Sequence, residues 1–138
     1  MEEQVRKTVG GKSRVSVLLI DDEQALLRSM ARFLSKTYSV TTAHGGSEAL
    51  ELLELRSDFD VIFCDVMMPG VDGSMIYEWA IENRPELASR FVFCTGGAFT
   101  DKARAFLDSV ATQCAQKPLG PARLQTLIAS VIERSNAG

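Results

Sequence analysis

The chain has 138 residues, of which 46% are hydrophobic and 24% charged. That is the profile of one ordinary globular domain, without room for a second catalytic or DNA-binding unit. A net charge of −3 gives no basic footprint, so direct nucleic-acid binding is not expected. No apolar run approaches the roughly 18 residues that span a bilayer, and Met1-Glu2-Glu3-Gln4 is not the opening of a signal peptide. A cytoplasmic protein with no membrane insertion is the expectation. Cys64, Cys94 and Cys114 form no Cys-x-x-Cys pair and read as small apolar side chains rather than metal or redox groups.

Residues 1–14 are polar, carry Gly10-Gly11, and show no apolar period, which predicts a tail or linker. The domain is expected to run from 15 to 134, with 135–138 as a C-terminal tail. Val15 to Ile20 is a β-branched, apolar run that ends in acids, the pattern of a strand buried on both faces. From Glu23, the residues Leu26, Met30, Phe33 and Leu34 fall on one helical face. Tyr38 to Ala43 predicts a more polar, edge-like strand, broken by His44-Gly45-Gly46, and Glu48 to Glu54 predicts a helix. Val61 to Asp65 is again an apolar strand ending in an acid.

Pro69, Gly70 and Gly73 mark a loop, Met75 to Glu82 a helix, and Arg90 to Thr95 a fourth strand closed by Gly96-Gly97. A fourth helix is predicted over Thr100 to Val110, with Ala103, Phe106, Leu107 and Val110 inward. The fifth strand, near Thr112 to Gln116, rests mainly on context because its composition is diluted by Thr112, Gln113 and Gln116. Pro121 suits a helix start, and Leu124, Leu127, Ile128, Val131 and Ile132 follow at helical spacing. Strict alternation of this kind implies an α/β fold with a parallel sheet covered on both faces. Five units are too few for an eight-stranded barrel, so an open, doubly wound five-stranded sheet is expected.

Ligands of such sheets bind outside the carboxyl ends of the strands. The polar residues there are Asp21 and Asp22, Asp65, Thr95 and Lys117. Clustered carboxylates repel one another unless a cation sits among them, and magnesium, which prefers oxygen ligands and phosphate, suits this set. A carboxylate can act as a nucleophile toward phosphorus, and a hydroxyl and an ammonium aimed at the phosphoryl oxygens would complete the site. Taken singly, Asp21, Asp22 and Thr95 would serve as helix caps, Asp65 as a turn former and Lys117 as a solvated charge. The coincidence of all of them at strand ends favours the functional reading.

These residues, within Asp21-Asp22-Glu23, Asp65-Val66-Met67-Met68-Pro69-Gly70-Val71-Asp72-Gly73, Thr95-Gly96 and Lys117-Pro118, give a chain that resembles the receiver domain of two-component response regulators from about Val15 to Ile132. The resemblance implies a flavodoxin-like sheet of strand order 2-1-3-4-5. It implies that Asp65 accepts a phosphoryl group from a phosphohistidine on a histidine kinase or histidine phosphotransfer protein, or from a small donor. It further implies Mg²⁺ ligated by Asp22, Asp65 and the Met67 carbonyl and oriented by Asp21 through water. Lys117 would pair with the phosphoryl group, and Thr95 would move inward to bond it. The output would be a switch of the face formed by the fourth helix, fifth strand and last helix toward a downstream protein target; the sequence leaves open whether that face also makes a homodimer. Such a domain is not an enzyme acting on other molecules, although it assists its own phosphorylation and dephosphorylation.

Two departures stand out. Cys114 occupies the position three before the lysine where the family usually has Tyr or Phe, which puts the coupling of threonine to a ring in doubt. Met67 and Gly97, which flank the phosphoryl pocket, offer no polar side chain to align water, so slow hydrolysis is expected. His44 reads as an exposed loop histidine, Met67-Met68 as one exposed and one packed residue, Tyr77 and Trp79 as packing residues, and Phe99 as either partner-facing or core. A haloacid-dehalogenase-type hydrolase would need an acid where Met67 stands, and a nucleotide-binding loop would need glycines where Asp21-Asp22-Glu23 stands. A receiver-like scaffold that binds proteins without phosphorylation is the more serious rival. With Gly138 soon after the last helix, no output domain is expected. That leaves a stand-alone regulator or the receiver of a hybrid sensor kinase, and the Thr95 to Phe99 run looks similar to the latter.

Overall fold

The computed structural model describes residues 14–97 and 100–137. In chain order the elements are β1 (Ser16–Asp21), α1 (Gln24–Leu34), β2 (Ser39–His44), α2 (Gly46–Leu55), β3 (Val61–Asp65), α3 (Gly73–Asn83), β4 (Phe91–Thr95), α4 (Asp101–Ser109), β5 (Cys114–Gln116) and α5 (Pro121–Ala137), with 3₁₀ turns at Pro85–Arg90 and Ala111–Gln113. The strands form one parallel sheet of order β2-β1-β3-β4-β5. Every residue of β1 and β3 is buried, whereas β2 exposes several side chains at one edge. This is why the central strands read as unbroken apolar runs and β2 does not.

Successive strand residues point to opposite faces, and the core divides accordingly. Leu18, Ile20, Ile62, Cys64, Phe91 and Phe93 pack with residues of α2, α3 and α4, among them Ala49, Leu53, Ile76 and Ala103. On the other face Val17, Leu19, Val61, Phe63, Val92 and Cys94 pack with Leu27 and Leu34 of α1 and Leu124, Ile128 and Val131 of α5. Cys64 and Cys94 thus lie on opposite sides of the sheet, and all three cysteines are free. Tyr77 packs edge-on against Phe91, Phe93 and Phe106 with centroid distances of 5.5, 5.1 and 5.9 Å. Tyr77 and Trp79 therefore belong to the packing of α3, as expected.

Several predicted boundaries shift. The fifth strand begins only at Cys114, because Ala111–Gln113 form a 3₁₀ turn in which the Gln113 amide donates to the carbonyls of Ala88 and Phe91. In α1 the fully buried positions are Leu27 and Leu34, with Leu26, Met30 and Phe33 only partly covered. Arg90 closes a 3₁₀ turn instead of opening β4, and its guanidinium donates to the Phe59 carbonyl. β2 keeps its ladder through His44, paired with Asp21, one residue past the predicted end at Ala43. Helix α5 runs to Ala137, past the expected domain end at 134. Residues 1–13, which include most of the expected tail, and Phe99 lie outside the described residues. Among the described residues, no helix is long and apolar enough to cross a membrane.

Candidate functional site

Strand order reverses at β1, with β2 on one side and β3 on the other, so the carboxyl ends of β1 and β3 open onto a crevice. Asp21 ends β1 and Asp65 ends β3, and both are buried, at 5% and 7% exposure. Asp22 follows in the half-buried β1–α1 loop. One carboxylate oxygen from each of the three residues lies within 4.8 Å of the others. Like charges at that separation repel strongly in a partly dry site.

One protein cation enters this cluster. The Lys117 Nζ donates to Asp21 Oδ2 at 2.8 Å and lies 3.6 Å from Asp65 Oδ2. Its position follows from β5, since the Lys117 N–H extends the ladder by donating to the Thr95 carbonyl at 2.8 Å. The other Asp21 oxygen accepts the Glu23 N–H at 2.9 Å. Asp21 is therefore satisfied by the protein on both oxygens. Asp65 is less well served, with a backbone hydrogen bond from Met67 and the longer approach of Lys117.

The electrostatics follow this geometry. Burial pushes Asp65 up from its ordinary value to about 6; Lys117 opposes the rise, Asp21 and Asp22 add to it, and the Met67 hydrogen bond opposes it. Burial on its own would lower Lys117, but the hydrogen bond to Asp21 and the charges of Asp65 and Asp21 outweigh it, and its pKa is raised. Burial pushes the neighbouring Cys94 thiol up to about 12, so it is inert at neutral pH.

Thr95 ends β4 beside Asp65, and its Oγ1 is buried with no hydrogen-bond partner among the described residues. A cap role is not what holds it there, because α4 is capped by Thr100, whose side chain accepts the Ala103 N–H. The amino end of α3 is likewise capped by Asp72, which accepts from Met75 N and Ser74 Oγ. Gly73 lets that helix approach the β3 end, since a Cβ there would come within 2.8 Å of the Asp65 carbonyl oxygen. The crevice and its apolar extension beside α1, lined by Leu26, Leu27, Met30, Phe63 and Leu119, form one pocket of about 390 Å³.

Residues 17–129 match the family model described as the response regulator receiver domain. The chain belongs to that family. It is 30% identical over 137 residues to the sensor kinase CckA of Brucella abortus, covering 98% of this chain and 14% of that protein. It is 32% identical over 127 residues to the probable transcriptional regulator ycf27 of Guillardia theta, covering 91% of this chain and 48% of that one. The chain thus spans less than half the length of either relative. A solved receiver domain protein from Clostridium thermocellum superposes with a TM-score of 0.78 at 26% identity, over 89% of this chain and 98% of the other.

The fold brings Asp21, Asp22, Asp65 and Lys117 into one cluster and sets Thr95 at the end of β4, the strand paired with β3. Met67 contributes its backbone N–H to Asp65 while its side chain is exposed at 42%, and Met68 is buried, as the sequence suggested. Cys114 is half-buried, and its thiol donates to the Val110 carbonyl at 3.2 Å. His44 is not among the residues that the sequence singles out for the site. Its ring reaches the Asp22 carbonyl from the neighbouring strand, a contact visible only once β2 is known to lie beside β1.

Proposed function

We propose that this receiver domain is a Mg²⁺-dependent phosphoacceptor, with Asp65 taking a phosphoryl group from the phosphohistidine of a histidine kinase or histidine phosphotransfer protein. The convergence of two further carboxylates, Asp21 and Asp22, and the Lys117 ammonium around Asp65 carries this reading. An all-oxygen acidic donor set with one under-satisfied member suits a hard divalent cation. Asp22, Asp65 and the Met67 carbonyl would hold it, with Asp21, whose oxygens are taken by Lys117 and the Glu23 N–H, orienting it through water. When bound, Mg²⁺ supplies positive charge shared between the carboxylates and the phosphoryl oxygens.

The remaining steps belong to the chain. An Asp65 carboxylate oxygen attacks phosphorus, the P–N bond to the donor imidazole breaks, and the electron pair leaves on the imidazole nitrogen, which regains a proton from solvent. Lys117 pairs with the transferred group as a point charge. The unpartnered Thr95 Oγ1 gains an acceptor in a phosphoryl oxygen, which draws the end of β4 toward Asp65. That movement would alter the α4-β5-α5 face for a downstream protein target. With Cys114 in place of a ring, the displaced volume at that face is small, and the movement is carried chiefly by Thr95 and α4. Similarity to a sensor kinase over 14% of its length supports a place within a hybrid kinase, on the cytoplasmic side.

Incubation with Mg²⁺ and a small phosphodonor such as acetyl phosphate, followed by intact-mass measurement, tests the proposal. The expected result is one added phosphoryl group in the wild type and none in Asp65→Asn. An unmodified wild type would leave only a phosphorylation-independent binding module.

A further inference from the structure

The β1–α1 loop that carries Asp22 is tied to the start of α2 at two points. The Gly45 N–H donates to the Asp21 carbonyl at 3.0 Å, the last backbone bond between β2 and β1. One residue earlier, His44 Nε2 lies 3.0 Å from the Asp22 carbonyl oxygen. A carbonyl oxygen only accepts, so Nε2 carries the hydrogen. The backbone of His44 is fixed in turn, because its N–H donates to Glu48 Oε1 at 3.2 Å from the first turn of α2.

Asp21 and Asp65 need no such support. Each is the last residue of a central strand, with its backbone inside the ladder and its side chain buried. Asp22 lies one residue beyond the strand, and α1 starts only at Gln24 with no side-chain cap at Glu23. Rotation of the Asp21–Asp22 and Asp22–Glu23 peptides would swing the Asp22 carboxylate out of the cluster. The second of these peptides is restrained at both ends, its N–H by Asp21 Oδ1 and its carbonyl by the His44 imidazole, and Glu48 anchors the His44 backbone.

We propose that His44 is a positioning residue for the metal site, holding the Asp22 peptide so that its carboxylate stays aimed at Asp21 and Asp65. The inference rests on the reading of that cluster as a Mg²⁺ site. It assigns no proton transfer and no phosphoryl chemistry to the histidine. A single exposed hydrogen bond contributes modestly, so the expected loss of Mg²⁺ affinity on its removal is about three- to tenfold.

The test is a Mg²⁺ titration followed by backbone amide NMR shifts on the wild type, His44→Phe and His44→Gln, with thermal melting of the metal-free proteins alongside. His44→Phe keeps a ring but loses the donor and is expected to bind Mg²⁺ about three- to tenfold more weakly with an unchanged melting temperature. His44→Gln restores an N–H donor at similar reach and is expected to recover most of the affinity. Wild-type affinity in His44→Phe would overturn the role of His44 while leaving the metal site standing. So would a glutamine variant no better than phenylalanine. A wild type with no Mg²⁺-dependent shifts would overturn both readings together.

Discussion

Asp60 and Asp65 stand at opposite ends of β3, and both carboxylates are buried, at 4% and 7% exposure. At the amino end, Asp60 and Ser16 form a reciprocal clamp: the Asp60 side chain accepts the Ser16 N–H at 2.8 Å, and the Asp60 N–H donates to the Ser16 carbonyl at 2.8 Å. It ties the start of β1 to the start of β3. At the carboxyl end, Asp65 faces two further carboxylates and shares a lysine with one of them. The same residue type is a structural fastener just before β3 and, on the proposed function, the phosphoacceptor at its far end. Burial alone does not distinguish them; the company each carboxylate keeps does.

The widest separation is expected when both are made neutral. Asp65→Asn abolishes phosphorylation, whereas Asp60→Asn is still phosphorylated but loses about 1–3 kcal/mol of stability as a buried acceptor is weakened, measured by urea unfolding. Asp65→Asn has the opposite effect on the metal-free fold. With its pKa raised from 3.8 to about 6, folded Asp65 holds a proton between those values that the unfolded chain has released. Its contribution to stability is therefore fullest below about pH 4 and is lost as pH rises through 6. Removing the charge at neutral pH is expected to raise the melting temperature by about 3 °C and to erase that pH dependence. A lowered melting temperature would place Asp65 in the same class as Asp60.

Lys117 sharpens the contrast next. Lys117→Ala takes away the only cation within 4 Å of Asp21 and Asp65 among the described residues. The rate of phosphorylation is expected to fall about a hundredfold, as for removal of one oriented charge from a transition state. The same variant is expected to be destabilised at neutral pH and partly rescued by acid, because protonating the carboxylates relieves repulsion that the ammonium had balanced. Initial rates by intact mass, with melts across pH, check both halves.

The central strand ends were legible because of how a parallel sheet is built. A strand buried on both faces must be apolar throughout, so Val17 to Ile20 and Val61 to Cys64 announce themselves, and an acid closing such a run is conspicuous. The edges were less legible. β5 is only three residues long, and the sequence pattern extends it over Thr112 and Gln113, whose backbone turns in a 3₁₀ loop. The phase of α1 was ambiguous because Leu26 and Leu27 are adjacent and both apolar; only packing against the sheet selects Leu27. The clamp of Asp60 to Ser16 and the reach of His44 to Asp22 join residues 44 and 22 apart. Neither follows from local pattern, since both depend on strand order and register.

A third expectation concerns protons and metal at the same carboxylate. If Asp65 is a Mg²⁺ ligand as proposed, it must bind in its charged form, and burial pushes its pKa up to about 6. Apparent Mg²⁺ affinity is expected to be flat above pH 7 and to fall about tenfold per unit below pH 6. Titrations at several pH values measure this, and an affinity constant down to pH 5 would mean that Asp65 is not a ligand. Asp60, at the far end of β3, predicts no such dependence.

The smallest expected effect lies at the rim of the site and concerns how long Asp65 stays modified. Hydrolysis of an aspartyl phosphate needs a water aligned with phosphorus, and the two side-chain positions near the pocket are Met67 and Gly97. Gly97 adopts φ of +128°, a conformation in which any residue with a Cβ is strained, so the backbone itself resists a polar side chain there. Met67 is free to change, because its side chain is exposed while its N–H serves Asp65. The wild-type phosphoryl group is expected to persist for minutes or longer at room temperature, and Met67→Asn or Met67→Glu to shorten its lifetime about three- to tenfold by orienting water. Decay followed by mass measures it. Loss within seconds in the wild type would show that water reaches phosphorus without a side chain to guide it, through the open crevice beside Lys117.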